Sequence, residues 1–479
     1  MKFQPRLVLI PLGLLVLWAL FREMQRNPGL FANATYLGGI VALEVVIACL
    51  WNFEKIFLPA TMVCFVVAGT GLPLSGPSNY LRWLFLAVGG MAGIVLWMKS
   101  KREKHFESFH LVALFCILTA LATASASNSP VTASLKVGSL LLLFLYASTG
   151  ARVALARREE RFVRGLVLGC EIMVYIVAAC NFVLGYDLFG SPNALGAVIG
   201  VAVTPVLLWA ALMARDHAER RRRYIALALC GVLLYVTVCR AAIVADSIVI
   251  ILITVGLRRP GLLLRGIFAA ALFLEIMAVA NPSHMGELLD SMTGRFIFKL
   301  DRSQGHAGVF GSRQTPWEDS INAIKQHPWF GTGFGTSDLG GDRTDIQYSS
   351  IYTRAGSNRE HGSSYLALAE YVGLLGIVPF VILLVLLLRA ATRVYLWMRR
   401  NQSPNNYAVV FAMIVIAGLI HAGFEDWLFA VGSYLSVFFW VAAFLLIDLA
   451  AQFKSDPRIA VPMPFVAFSP VQSFRQPTT

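Results

Sequence analysis

Apolar stretches of about 20 residues recur along the chain, from Leu7–Phe21 to Trp427–Leu449, and short basic loops separate them. Each stretch is long enough to cross a bilayer as a helix. Lipid offers the backbone no hydrogen-bond partners, so helix is the geometry such a run can adopt there. Only 14% of the 479 residues are charged, against roughly a quarter in a soluble domain. The solvent for most of this chain is therefore lipid, and the fold class is an all-α polytopic membrane protein.

The apolar runs predict helices over 6–21, 36–52, 55–72, 81–98, 110–126, 132–150, 163–185, 192–213, 224–239, 241–257, 261–280, 363–388, 406–424 and 427–449. About 12–14 of these are expected to span the membrane. The first run has no small-residue cleavage site before Arg22, so it is expected to be retained as a helix. The net charge of +13 is gathered in loop clusters such as Arg215–Arg223 and Arg389–Arg400. That distribution sets topology through the retention of basic loops inside, with anionic lipid as a secondary partner. Nucleic acid is not an expected partner. The seven cysteines lie in or beside apolar runs without metal-ligand spacing, and they read as small core residues.

The expected organisation is 1–190 as N-terminal membrane helices, 191–280 as further core helices and 281–362 as one large outer loop. Residues 363–449 form C-terminal membrane helices, and 450–479 a disordered inner tail. The loop is nearly charge-balanced, unlike the basic short loops, and topology places it outside. A connection of that length is expected to be functional and partly folded. Within it, Thr315, Pro316 and Glu318 have the spacing of a capping box followed by an amphipathic helix. Trp317, Ile321 and Ile324 form its expected apolar stripe, and Pro328 ends it.

Polar groups collect on that outer side. Arg313 precedes the capped helix, and Arg240 lies between two apolar runs in "VTVCRAAIVADS". Each is either an interface anchor or part of an anion site, since guanidinium forks match phosphate oxygens. His361 stands where the loop re-enters the membrane, a place from which an imidazole can take a proton near neutral pH. Its plainer reading is a polar residue at a helix start. His421, Glu425 and Asp426 form a second patch in "HAGFEDWLF", which reads equally as a polar network closing the bundle. His327, before a proline, also reads as structural. The glycine strip "GTGFG" follows no strand and has the wrong spacing for a dinucleotide site. No metal cluster or cofactor is expected.

"SPNALG" (Ser191–Gly196), "CRAA" (Cys239–Ala242), "SRQTPWEDSINAIKQHPWFGTGFG" (Ser312–Gly335) and "HGSSYLALAEYVGLLG" (His361–Gly376) stand in this order. In that order they resemble the O-antigen ligase and polymerase family of bacterial envelope glycosyltransferases. The resemblance covers roughly 190–445. It implies a GT-C-like helical bundle in the inner membrane, with its active site facing the periplasm. It also implies a glycan donor on undecaprenyl pyrophosphate, inverting transfer without a metal, and lipid A core or another glycan as acceptor. By motif, Arg240 and Arg313 look like the pyrophosphate-binding arginines, Arg313 and His361 like the catalytic pair, and His361 like the group that activates the acceptor hydroxyl. Asn193, His327, Glu370, His421 and Glu425 are supporting candidates. Cys239 and Gly362 depart from the family's frequent serine and asparagine at those places.

The motifs serve the donor, so they leave open ligase, polymerase and protein O-oligosaccharyltransferase. A polysaccharide transporter or flippase is a reading from a different class. Transporters tend to show duplicated halves and mid-membrane polar groups. This chain shows no repeat and gathers its polar residues in one outer region.

Overall fold

The computed structural model describes residues 34–72, 75–99, 107–280, 311–336 and 361–453, together with Trp18, Arg22, Gln25 and Arg26. Most of the expected first helix and the tail beyond 453 lie outside the described residues, as do 281–310 and 337–360 of the long connection. Every regular element among the described residues is helical. In chain order these are α1 (Ala34–Trp51), α2 (Leu58–Ala68), α3 (Ser75–Lys99), α4 (Ser108–Ser125), α5 (Pro130–Leu145) and α6 (Arg152–Phe182). There follow α7 (Pro192–Ala197), α8 (Thr204–Met213), α9 (His217–Thr237), α10 (Arg240–Gly256) and α11 (Pro260–Ala280). The last group is α12 (Gly311–Gln326), α13 (Ser364–Asn401), α14 (Tyr407–His421) and α15 (Tyr434–Ala450). Wider π-helical turns join α5 to α6 and α7 to α8.

Burial sorts the helices into a centre and a rim. Among the described residues six helical segments are long and apolar enough to cross a membrane. The run Pro192–Met213 is 89% buried within the protein, whereas the other five are 33–44% buried and turn Leu, Ile and Val side chains outward. Such outward apolar surface is tolerable because lipid is its solvent. Helices α14 and α15 are also buried nearly all round. At 15 and 17 residues they are shorter than a full span. Protein rather than lipid surrounds them, so the span requirement does not bind them. The chain is an all-α multi-pass membrane protein.

Close backbone approach holds the centre together. A Cβ on Gly200 would meet the Ala242 Cβ at 2.8 Å, so α10 rests almost directly on the π turn after α7. Small residues permit this approach, which dispersion then stabilises without help from the hydrophobic effect.

One end of the bundle is tied by ionic groups. Arg152 pairs with Asp448 and approaches His110 Nε2 at 3.2 Å. Arg223 is buried, donating to the Ala210 carbonyl and to Glu219 Oε1, both at 2.5 Å. A buried guanidinium survives only when its donors are met in this way. Trp209 Nε1 reaches the Pro404 carbonyl at 2.9 Å at the same end, where Asn406 caps α14.

Several boundaries differ from the sequence expectation. Helix α6 begins at Arg152 rather than 163, and α13 runs to Asn401 rather than 388. Lys and Arg are good helix formers whose stems lie along apolar surface, so a basic cluster extends a membrane helix instead of ending it. Helix α12 begins at Gly311, which puts Pro316 inside it and removes Thr315 from a capping role. The buried face of α12 centres on Ser320 and Ala323, and Ile321 is exposed. Residues 422–433 are turns rather than the start of a helix at 427.

Candidate active site

The polar residues meet at the end opposite the Arg152 and Arg223 ties. The elements there are the α4–α5 turn, the starts of α7, α10 and α13, helix α12 and the α14–α15 loop. Ser364, the first residue of α13, organises that loop. Its Oγ donates to the Glu425 carbonyl (2.6 Å) and accepts from the Trp427 and Leu428 amides, both 3.1 Å. Its own amide donates to the Ala422 carbonyl at 2.9 Å. The amide and hydroxyl of one buried serine thus hold Ala422–Leu428, the stretch that carries Glu425 and Asp426, over the start of α13. The Leu428 carbonyl is held in turn by Ser436 Oγ (3.0 Å) and Trp440 Nε1 (2.7 Å).

His361 lies just before α13, 2% exposed, between two carboxylates. Nδ1 meets Asp426 Oδ2 at 2.6 Å, and Nε2 faces Glu370 Oε1 at 3.4 Å, an ion-pair contact longer than a good hydrogen bond. Tyr371 packs edge-on to the imidazole. A neutral imidazole has one N–H, but an ionised carboxylate only accepts. Two carboxylates facing both nitrogens therefore fit a doubly protonated ring. Burial alone would lower the pKa of His361. The hydrogen bonds and charges of Asp426 and Glu370 outweigh burial and raise it to about 9. The two acids thus favour the imidazolium form of His361.

Arg313, on α12, donates through Nη2 to Glu425 Oε1. Gly362 runs against it with φ +65°, and a Cβ there would meet Arg313 Cδ and Trp317 Nε1 at 3.2 Å each. The Trp317 indole donates to the Gly362 carbonyl at 3.1 Å. The glycine after the histidine thus gives the backbone room to cross α12. Arg240 opens α10, close enough to Arg313 for their charges to repel. Two cations whose charges interact, with Arg313 also held by a carboxylate, suit a multiply charged anion.

His421 is fully buried. Its Nδ1 accepts from Trp427 Nε1 at 2.8 Å, leaving Nε2, 4.0 Å from Cys239 Sγ, to carry the proton. That is a structural bond joining α14 to the start of α10. Cys239 Sγ also points at the Asn193 carbonyl, 3.9 Å away. Asn193 therefore meets the site through its backbone. His327 stands exposed at the far end of α12, away from this cluster.

Residues 225–381 match the family model described as O-antigen ligase. The chain carries an O-antigen ligase domain. No curated protein matches the chain. The O-antigen ligase domain belongs with ligase- and polymerase-like glycosyltransferases. The matched segment holds Arg240, Arg313, His361 and Glu370. Asn193, His421, Glu425 and Asp426 reach the same end of the bundle from outside it.

Sequence reasoning set Asp426 only in a polar patch, and it passed over Lys136. Two signals were available. "FEDW" breaks an apolar run at the outer end of a helix, and Lys136 is a lone charge in "VTASLKVGSLLLLFLY". An ionisable group inside a membrane helix is a functional candidate by default.

Proposed function

We propose that this protein moves a glycan from undecaprenyl pyrophosphate to an acceptor hydroxyl on the periplasmic side of the inner membrane, as an O-antigen ligase does. The observation that carries this reading is the pairing of Arg313 with Glu425 on the loop that sets Asp426 against His361, with the Arg240 charge felt at Arg313. The arginines hold the diphosphate and stabilise the charge that grows on it as it leaves. Preorganised donors of this kind supply several kcal/mol to a transition state.

The proton goes to Asp426. The acceptor hydroxyl donates to the Asp426 carboxylate and attacks the anomeric carbon, with inversion. The bond from that carbon to the diphosphate oxygen breaks, and its electron pair leaves with the lipid diphosphate. Asp426 is 20% exposed at its side chain and can touch an acceptor, whereas Glu370 is 0% exposed and cannot. His361, already carrying two protons, cannot accept a third. It acts as a cation that orients Asp426, in place of the base role expected from sequence.

The test is a surface-polysaccharide profile in a strain lacking the gene, with wild-type and Arg313→Ala copies restored separately and membrane abundance matched. Complete loss of long glycan from lipid A core in the Arg313→Ala strain, with lipid-linked chains accumulating, is the expected result. Single repeats still attached to core would assign a polymerase. A full profile from Arg313→Ala would overturn the arginine site.

A further inference from the structure

We infer that Lys136 is a positioning residue for the transfer reaction, reaching the site from the N-terminal helices, outside the matched segment. The inference rests on Asp426 serving that reaction. Lys136 lies in the second turn of α5, and Val131 and Leu135 beside it turn outward at 74% and 62% exposure. Its ammonium turns the other way. Nζ donates to the Gly335 carbonyl, and its charge attracts Asp426. The lysine stem lies directly under Gly335, where a Cβ would stand 3.4 Å from Lys136 Cβ.

Gly335 belongs to a short strip that joins both halves of the bundle. The Thr332 amide donates to the Glu370 carbonyl (2.9 Å) and the Gly333 amide to the Tyr371 carbonyl (3.1 Å). On the other side Ser127 Oγ meets Thr336 Oγ1 at 3.0 Å. Lys136 thus fastens the strip whose amides hold the Glu370 and Tyr371 carbonyls, and its charge acts on the carboxylate that holds His361. One ammonium acts on the acid–base group from two directions.

The charge effect separates positioning from mere packing. The groups that meet His361 are Asp426 from the α14–α15 loop and Glu370 and Tyr371 from α13, with Arg313 of α12 against the next residue, Gly362, and the Lys136 charge of α5 acting through Asp426. Removing the Lys136 charge leaves that set more negative. His361 then keeps its proton to higher pH, and the alkaline limit of activity moves upward with it. A nearby charge moves a pKa by about one unit.

The experiment compares wild type, Lys136→Met and Lys136→Arg in proteoliposomes, following glycan transfer against pH. The same detergent-purified proteins are titrated by NMR with 15N-labelled histidine, using His361→Gln to assign the resonance. The expected result for Lys136→Met is a roughly tenfold slower transfer near neutrality and an upward shift of about one unit in both profiles, with Lys136→Arg restoring them. An unchanged titration in Lys136→Met would overturn the inference, whatever happens to the rate. If wild type shows no transfer, the proposed function fails, and the NMR titration alone decides on Lys136.

Discussion

Asp426→Asn should slow glycan transfer by about 10²- to 10⁴-fold, the range for losing a positioned proton acceptor. Asparagine keeps the size of the side chain and an oxygen able to accept from His361 Nδ1, so the loop held by Ser364 should stand. The carboxylate that takes the hydroxyl proton is gone. The pH profile of wild type gives a second reading of the same chemistry. If His361 works as the imidazolium, activity is present below its pKa and falls as pH rises through about 9. If His361 were the base, activity would rise through that pH instead. Initial rates between pH 6 and 10 with reconstituted protein separate these outcomes. An Asp426→Asn protein retaining a tenth of wild-type transfer, with rates climbing past pH 9, would return the proton to His361.

The parts of this site differ in how far they were legible in the sequence. Arg240, Arg313 and His361 stood out because each is charged or titratable beside a lipid-length run, and such groups are costly without a purpose. The segment 192–213 was bounded correctly by Pro192 at its start and the basic cluster after it. The α14–α15 loop was not. "WLFAVGSYL" has the hydropathy of a helix start, and the first of the bonds that keep it in turns comes from the hydroxyl of Ser364, about 60 residues away in sequence. Hydropathy carries no information on so distant a bond. For that reason Asp426 looked like a residue closing the bundle, although the fold sets it against His361. Lys136 was missed for a related cause. Its partner is a backbone carbonyl in the glycine strip, and no side-chain motif marks a carbonyl. The base role expected of His361 is at odds with the two acids that flank its ring, and only the folding of α13 against the loop brings them there.

Gly373→Ala should destabilise the protein by about 3 kcal/mol or more, combining a Gly-only backbone with overpacking. Gly373 interrupts α13 with φ +64° and ψ −176°, a region that side chains other than glycine essentially never occupy. The space is closed too. A Cβ there would lie 2.5 Å from the Trp329 carbonyl carbon and 2.6 Å from the Gly331 amide nitrogen, and backbone cannot rotate away. The strip and the helix are laced together at this crossing, with Leu374 N donating to the Pro328 carbonyl (2.8 Å) and Leu375 N to Trp329 (3.2 Å). Glu370 and Tyr371, which face His361, lie one turn before the interruption. Any molecules that fold around an alanine would present those groups displaced. Thermal unfolding of detergent-purified protein should therefore show a lowered midpoint for Gly373→Ala, and transfer by the surviving folded fraction should drop as well. Gly169→Ala is the control. Gly169 is exposed in the middle of α6 with no atom within 4 Å of an added Cβ, so alanine there should be neutral or stabilise by up to about 1 kcal/mol. Equal midpoints for the two variants would mean that the strip yields easily, and that the crossing of 328–336 over α13 does not fix the acid–base group.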